Sequence, residues 1–249
     1  EKYTLKELLL GLLLVSGNDA AEALAIHTGG CEDNFVRMMN KRAKELGMNN
    51  TSFSNPHGLD SDKHFSTASD MAKLMCCCME NETFRELCGT KSAAVHGENL
   101  VNHNRLLWKY NSCVAGKTGY TMSAGRCHVS ASEKDGTRLV CVTLHDSDDW
   151  NDHIKLYNWG FSNYSTRNLL ESVEYELPLI SNSCDTARIL PADELNYFLP
   201  NNKNVKYTVE LPAFVFPPVK IGETAGRIWV IIDNEIVGGC ELVYAESIE

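Results

Sequence analysis

Leu8, Leu9, Leu10, Leu12, Leu13 and Leu14 leave no polar face on the helix that the sequence predicts over residues 5–14, and a helix apolar all round belongs inside a domain. Thr4 and Glu7 stand at capping-box spacing, in which a hydroxyl and a carboxylate each take up a free amide at a helix start. The apolar block at residues 8–15 covers about two helical turns, well short of the ~20 residues that cross a bilayer. Neighbours must therefore cover this helix on every side. Glu1-Lys2-Tyr3 offers neither an initiator Met nor the basic, apolar and small-residue layout of a secretory leader. The expectation is that a further segment precedes Glu1 and supplies part of that packing.

Ser16-Gly17-Asn18 ends the helix with three loop-favouring residues. Helices are predicted over residues 19–27 and 32–46, the latter stopped by Gly47. Asn55-Pro56-His57-Gly58 reads as a turn-rich loop. Ser69 or Asp70 is expected to cap a helix ending at Met79, with a short helix over 82–87. From Lys91 the pattern changes, and residues 116–120, 126–132 and 138–145 read as antiparallel strands before helical spacing returns over 149–161. Two groups of helices around late strands predict an α+β domain over residues 1–164. Runs at 173–177, 206–211, 227–232 and 235–243 predict a small all-β domain over 165–249, with Asp233-Asn234 as a tight hairpin turn.

Thirty-three acidic residues against 23 basic ones give a net charge of −10, so a nucleic-acid backbone would repel most of the molecule. The ten cysteines include three in a row, Cys76 to Cys78, and no Cys-x-x-Cys. Adjacent cysteines bridge poorly, and the spacing for zinc or thioredoxin chemistry is absent, so most are expected as reduced thiols. No two histidines are separated by i, i+4, which argues against a helical zinc-peptidase site.

Two short motifs carry chemistry: Ser16-Gly17-Asn18 and Lys117-Thr118-Gly119. The second type of tripeptide arises by chance roughly 0.1 times in a chain of this length. Their contexts add weight, since one ends the apolar helix and the other opens a predicted hairpin. Together with Asn55-Pro56-His57-Gly58-Leu59-Asp60, Ala124-Gly125 and Trp159-Gly160-Phe161, these stretches make the chain resemble the serine D-alanyl-D-alanine carboxypeptidases, the low-molecular-mass penicillin-binding proteins. The likeness runs from Tyr3 to Tyr164. It implies a penicillin-binding transpeptidase fold, N-terminally incomplete, followed by the family's β-rich domain.

The resemblance also implies roles. Three motifs meet in that family's cleft, but no serine here has Lys three residues later, so Ser-x-x-Lys is absent and its nucleophile is expected upstream of Glu1. Ser16 would relay a proton to the leaving amine, and Asn18 would orient substrate through its amide. Lys117 would supply positive charge, and Thr118 would donate to the substrate carboxylate. Gly119 would let a peptide lie along the strand edge. The Tyr120 amide would be half of the oxyanion hole. An arginine that binds the substrate carboxylate in many relatives is replaced by Asp149, with Arg126 as a candidate substitute. His57 is expected to stabilise its turn, and Trp150 and His153 to pack on their helix. Implied partners are peptidoglycan stem peptides ending in D-Ala-D-Ala and β-lactams, with no metal or organic cofactor. The implied place is the bacterial cell envelope, with membrane association through a segment outside this chain. A non-catalytic binding module with a degenerate cleft and a β-lactamase are the alternatives.

Overall fold

A computed structural model describes residues 2–180 and 186–249. The chain divides into two compact units, one running to Lys134 and resuming over Arg138–Phe161, the other formed by Asp135–Thr137 and the residues from Ser162 onward.

In the first unit, helices α1 (Leu5–Val15), α2 (Asn18–Gly29), α3 (Glu32–Glu45), α4 (Ala68–Met79) and α5 (Glu82–Gly89) come first. A hairpin of β1 (Ser92–Val95) and β2 (Glu98–Val101), a short α6 (Leu106–Lys109), strands β3 (Cys113–Thr121), β4 (Gly125–Lys134) and β5 (Thr137–Thr143), and helix α7 (Asp149–Asn163) follow. The capping box at Thr4 and Glu7 is present. Helix α4 is capped by Thr67, whose hydroxyl accepts the Asp70 amide at 3.1 Å, rather than by Ser69 or Asp70. The reason is positional: both expected caps lie inside the first turn, and Asp70 turns its buried carboxylate to the Asn50 amide and the Thr51 hydroxyl instead.

Helix α1 is covered less evenly than its composition suggests. Leu10 and Leu14 are buried, Leu8, Leu9, Leu12 and Leu13 are half-buried, and Leu5 is exposed. Its inner face packs on Leu87 of α5 and Val95 of the β1–β2 hairpin, each fully buried leucine contributing about 1.5–3 kcal/mol.

Strands β3, β4 and β5 form one sheet in that order, with β3 at the edge. Side chains alternate between its two faces. Ala115 and Ala131 face Met75 and Met79 of α4 and Cys88 of α5. On the opposite face, His128 and Ser130 meet His153 and Tyr157 of α7. The antiparallel register pairs Lys117 with Val129, Thr118 with His128 and Tyr120 with Arg126. Lys117 therefore projects toward the α4 and α5 face, and Thr118, Tyr120 and Arg126 toward the α7 face.

The second unit contains β6 (Tyr164–Asn168), β7 (Tyr175–Pro178), β8 (Thr186–Pro191), β9 (Asn196–Pro200), β10 (Lys206–Glu210), β11 (Thr224–Ile232) and β12 (Glu235–Tyr244). Five of these form a sheet in the order β10-β11-β12-β8-β7, and β6 pairs with β9. Ile189, Ile228, Val230 and Leu242 are completely buried at its core. Asp233 and Asn234 both take positive φ, 54° and 67°, as a two-residue hairpin loop of the favoured twist requires. Nine cysteines are free thiols among the described residues; Cys184 lies outside them.

Candidate active site

The site begins where α1 stops. Ser16 has φ 60° and ψ 42°, the left-handed region that side chains with a Cβ rarely occupy. The chain then reverses into α2 without a longer loop, with Gly17 donating to the Gly11 carbonyl at 3.0 Å. This geometry leaves Ser16 and Asn18 exposed at one junction between helices.

Strand β3 meets that junction. The Lys117 Nζ donates to Ser16 Oγ at 2.9 Å and to the Thr118 carbonyl at 2.7 Å. Burial pushes the Lys117 ammonium below its ordinary range, while the nearby Cys88 thiol opposes the shift. Gly116, one residue earlier, permits the close packing behind the strand: a Cβ there would sit 2.4 Å from Asn104 Nδ2. At Gly119 the same Cβ would meet nothing within 4 Å, because that position faces open cleft.

The cleft holds about 850 Å³, and Ser16, Asn18, Lys117, Thr118, Gly119 and Tyr120 all line it. The sequence had placed these six residues in two motifs about a hundred positions apart; the fold brings them to one groove. Its far wall is the loop that follows α3. There the Asn55 side chain accepts the Gly58 amide at 2.7 Å and donates to the Leu59 carbonyl at 2.9 Å. His57 Nδ1 accepts the Leu59 amide at 3.3 Å, so the imidazole braces its own turn. Thr121 at the end of β3 donates to Asp60 at 2.8 Å, tying strand to loop across the groove. Leu12, Phe53 and Met71 supply apolar lining.

Several lining residues were not singled out from the sequence, among them His64, His103 and Cys127. Isolated histidines and cysteines carry no local signal of where they will lie. Trp150 packs against the buried Leu106, Leu107 and Cys113 cluster and edge-on to His128 at 4.9 Å, and also reaches the cleft wall. It lies in the first turn of α7, where the helix passes beside the end of β4, so one indole serves both surfaces. His153 is wholly buried, as a packing residue.

Behind the cleft wall, His128 and His153 stack at 4.2 Å with their planes 13° apart. Burial holds His128 down to about 3, helped by His153, Arg126 and Lys117. Burial likewise lowers His153 to about 4, although Asp146 and Asp152 oppose it. Both rings are therefore neutral at pH 7. His153 Nδ1 lies 2.8 Å from the Ser130 hydroxyl, and its Nε2 lies 3.2 Å from Thr143. Among the described residues, neither ring nitrogen of His128 has a hydrogen-bond partner.

Among the described residues no group of three or more His, Cys, Asp and Glu side chains is arranged to hold a metal ion. None of the described helices is long and apolar enough to cross a membrane.

Comparison with known proteins finds a match to the family model described as D-alanyl-D-alanine carboxypeptidase over residues 1–148. The chain is 38% identical to the D-alanyl-D-alanine carboxypeptidase DacF of Bacillus subtilis, aligned over 100% of this chain and 67% of the relative. It is 30% identical to DacC of Escherichia coli, over 100% of this chain and 65% of that protein. The chain thus spans about two thirds of the length of either relative. The crystal structure of penicillin-binding protein 5 from Haemophilus influenzae superposes with a TM-score of 0.69 at 28% identity, covering 97% of this chain and 73% of that one.

Proposed function

The chain belongs to the D-alanyl-D-alanine carboxypeptidase family, and from that premise we propose that its cleft serves the removal of the terminal D-alanine from peptidoglycan stem peptides through an acyl-enzyme. The observation that carries this reading is the 2.9 Å hydrogen bond from Lys117 Nζ to Ser16 Oγ on the wall of an open groove.

The attacking serine is contributed from outside these 249 residues, since no Ser-x-x-Lys occurs within them. Its oxygen bonds to the carbonyl carbon of the D-Ala-D-Ala amide, the C–N bond breaks, and the departing D-alanine nitrogen takes up a proton. Ser16 passes that proton across, its hydroxyl made more acidic by the adjacent Lys117 charge. Water then cleaves the ester and restores the serine. Asn18 orients the peptide through its amide donor and acceptor, and the Thr118 hydroxyl donates to the terminal carboxylate. With no side chain at Gly119, the peptide lies against the edge of β3 as an added strand. The Tyr120 amide is one donor of the oxyanion hole, a contribution whose loss costs about 10² to 10³ in rate. β-Lactams acylate the same serine and inhibit the enzyme.

Residues 1–164 carry this cleft, and residues 165–249 form an accessory β-rich domain. The place of action is the bacterial envelope outside the cytoplasm, with any membrane attachment residing in a segment other than these residues. The test is D-alanine release from a stem pentapeptide by the whole protein that contains this chain, and its block by penicillin. Release is expected; a folded protein that neither cleaves the peptide nor reacts with penicillin overturns the reading.

The absence of Ser-x-x-Lys from the sequence favours one second reading, a non-catalytic module that binds wall peptide or protein in the same groove. It predicts peptide binding without D-alanine release.

A further inference from the structure

Asp149 is the first residue of α7 and 1% exposed, yet it borders the cleft. Standing alone, a buried carboxylate there would repel an anionic ligand. It does not stand alone. Arg126 of β4 donates from its terminal guanidinium nitrogen to Asp149 Oδ1 at 2.5 Å, and the guanidinium carbon lies 5.4 Å from the centre of the Trp150 ring. The acid holds one edge of the fork, the indole covers one face, and the side chain remains 42% exposed toward the groove.

A guanidinium carries five N–H donors in a rigid plane that matches a carboxylate, and the bond to Asp149 uses one of them. Three other basic groups of the groove are already committed. Lys117 Nζ is engaged with Ser16 and Thr118. His57 and His64 each accept a backbone amide through Nδ1, and burial biases His64 toward its neutral form. Arg126 thus brings to the groove a permanent charge whose remaining donors meet no partner among the described residues, on the same face of the β3–β4 ladder as Thr118 and directly opposite Tyr120.

We propose that Arg126 is the carboxylate-receiving group of this cleft and that Asp149, with Trp150, is the positioning device that presents it. The assignment rests on the reading above that the groove takes a peptide with a free C-terminal carboxylate. It inverts the naive effect of an acid at position 149: the negative charge, by fixing a cation between itself and the ligand, favours anion binding. Asp149 Oδ2, the oxygen turned away from Arg126, lies 3.8 Å from Nδ1 of the buried His128, so the carboxylate is confined on both sides.

The experiment compares, by calorimetry, binding of diacetyl-L-lysyl-D-alanyl-D-alanine and its C-terminal amide to the whole protein that contains this chain, with its nucleophilic serine replaced by Ala so that the acid is bound but not cleaved. The acid is expected to bind at least tenfold tighter than the amide. In Arg126→Lys the acid-to-amide ratio falls severalfold, because the fork is lost while the charge remains. In the double variant Arg126→Met with Asp149→Asn, which avoids stranding a buried charge, the ratio falls at least fivefold, to what Thr118 and Lys117 sustain alone. Asp149→Asn alone separates positioning from simple charge: loss of positioning lowers the ratio, whereas relief of repulsion raises it. A rise in that variant, or an unchanged ratio in the double variant, overturns this assignment and leaves the cleft reading intact. Failure of the whole protein, with Arg126 and Asp149 intact, to bind either peptide overturns both.

Discussion

Lys117 and Ser16, separated by 101 positions, meet through a 2.9 Å hydrogen bond whose acceptor sits in a left-handed backbone conformation at a helix end. The strand and the helix junction each fix one partner, so the pair does not depend on a flexible loop. In the whole protein, Lys117→Ala and Ser16→Ala are each expected to slow acylation by penicillin about 10²-fold or more, the range of a lost proton-transfer group. The double variant should be little worse than either single one, because the two act as a unit. Stopped-flow acylation rates check this, and additive losses would contradict it.

Two glycines of β3 should respond in opposite ways to one added methyl. Gly116→Ala places a carbon 2.4 Å from Asn104 Nδ2, in a buried region, and should cost about 1–3 kcal/mol of stability. Gly119→Ala meets nothing within 4 Å. Its melting temperature should stay within about 2 °C of the parent while penicillin acylation slows. Thermal melts and labelling rates together separate packing from ligand access.

The stacked imidazoles predict acid sensitivity. His128 and His153 titrate near 3 and 4 in the folded chain and near 6.5 when unfolded. The unfolded state therefore binds more protons below pH 6.5. Their contribution is complete above that pH and drains away as pH falls toward 4 and 3, by at most about 1.4 kcal/mol per pH unit for each ring. Urea unfolding of the whole protein between pH 7 and 4 should show this slope. His128→Phe, which keeps a ring against Trp150 and His153, should reduce it by about half.

Asp70 secures the start of the cleft's far wall by accepting the Asn50 amide at 2.9 Å and the Thr51 hydroxyl at 2.9 Å. Asp70→Ala strands both donors and should lower the melting temperature by several degrees. Hydrogen exchange should rise first at Asn50, Thr51 and their neighbours; protection unchanged there would count against this anchoring role.

Local pattern revealed much of this fold. The capping box at Thr4 and Glu7, the antiparallel run over β3 and β4, and the Asp233-Asn234 turn depend on residues close in sequence, whose preferences need no distant partner. The cap of α4 was misplaced because Thr67 competes with two equally good capping residues inside the first turn. Strands β6, β8 and β9 escaped notice because they are short and carry Pro, Asn or Arg at their ends. At the site, the motif residues were readable because their order along the chain is characteristic. Asp149 and Arg126 were both singled out from the sequence, but their contact was not, since an acid at the start of a helix reads equally well as a charge favourable to the helix dipole. Only the passage of β4 beside α7 converts it into an anchor for a cation.

On the proposed function, a serine from another segment completes the groove of Ser16 and Lys117 as a penicillin-reactive carboxypeptidase site. Peptide mapping by mass spectrometry after penicillin treatment of the whole protein tests it most directly. One covalent adduct is expected, on the serine of a Ser-x-x-Lys motif outside these 249 residues, lost when Lys117 is replaced by Ala. A folded protein that acquires no adduct, or acquires one that is indifferent to Lys117, would contradict it.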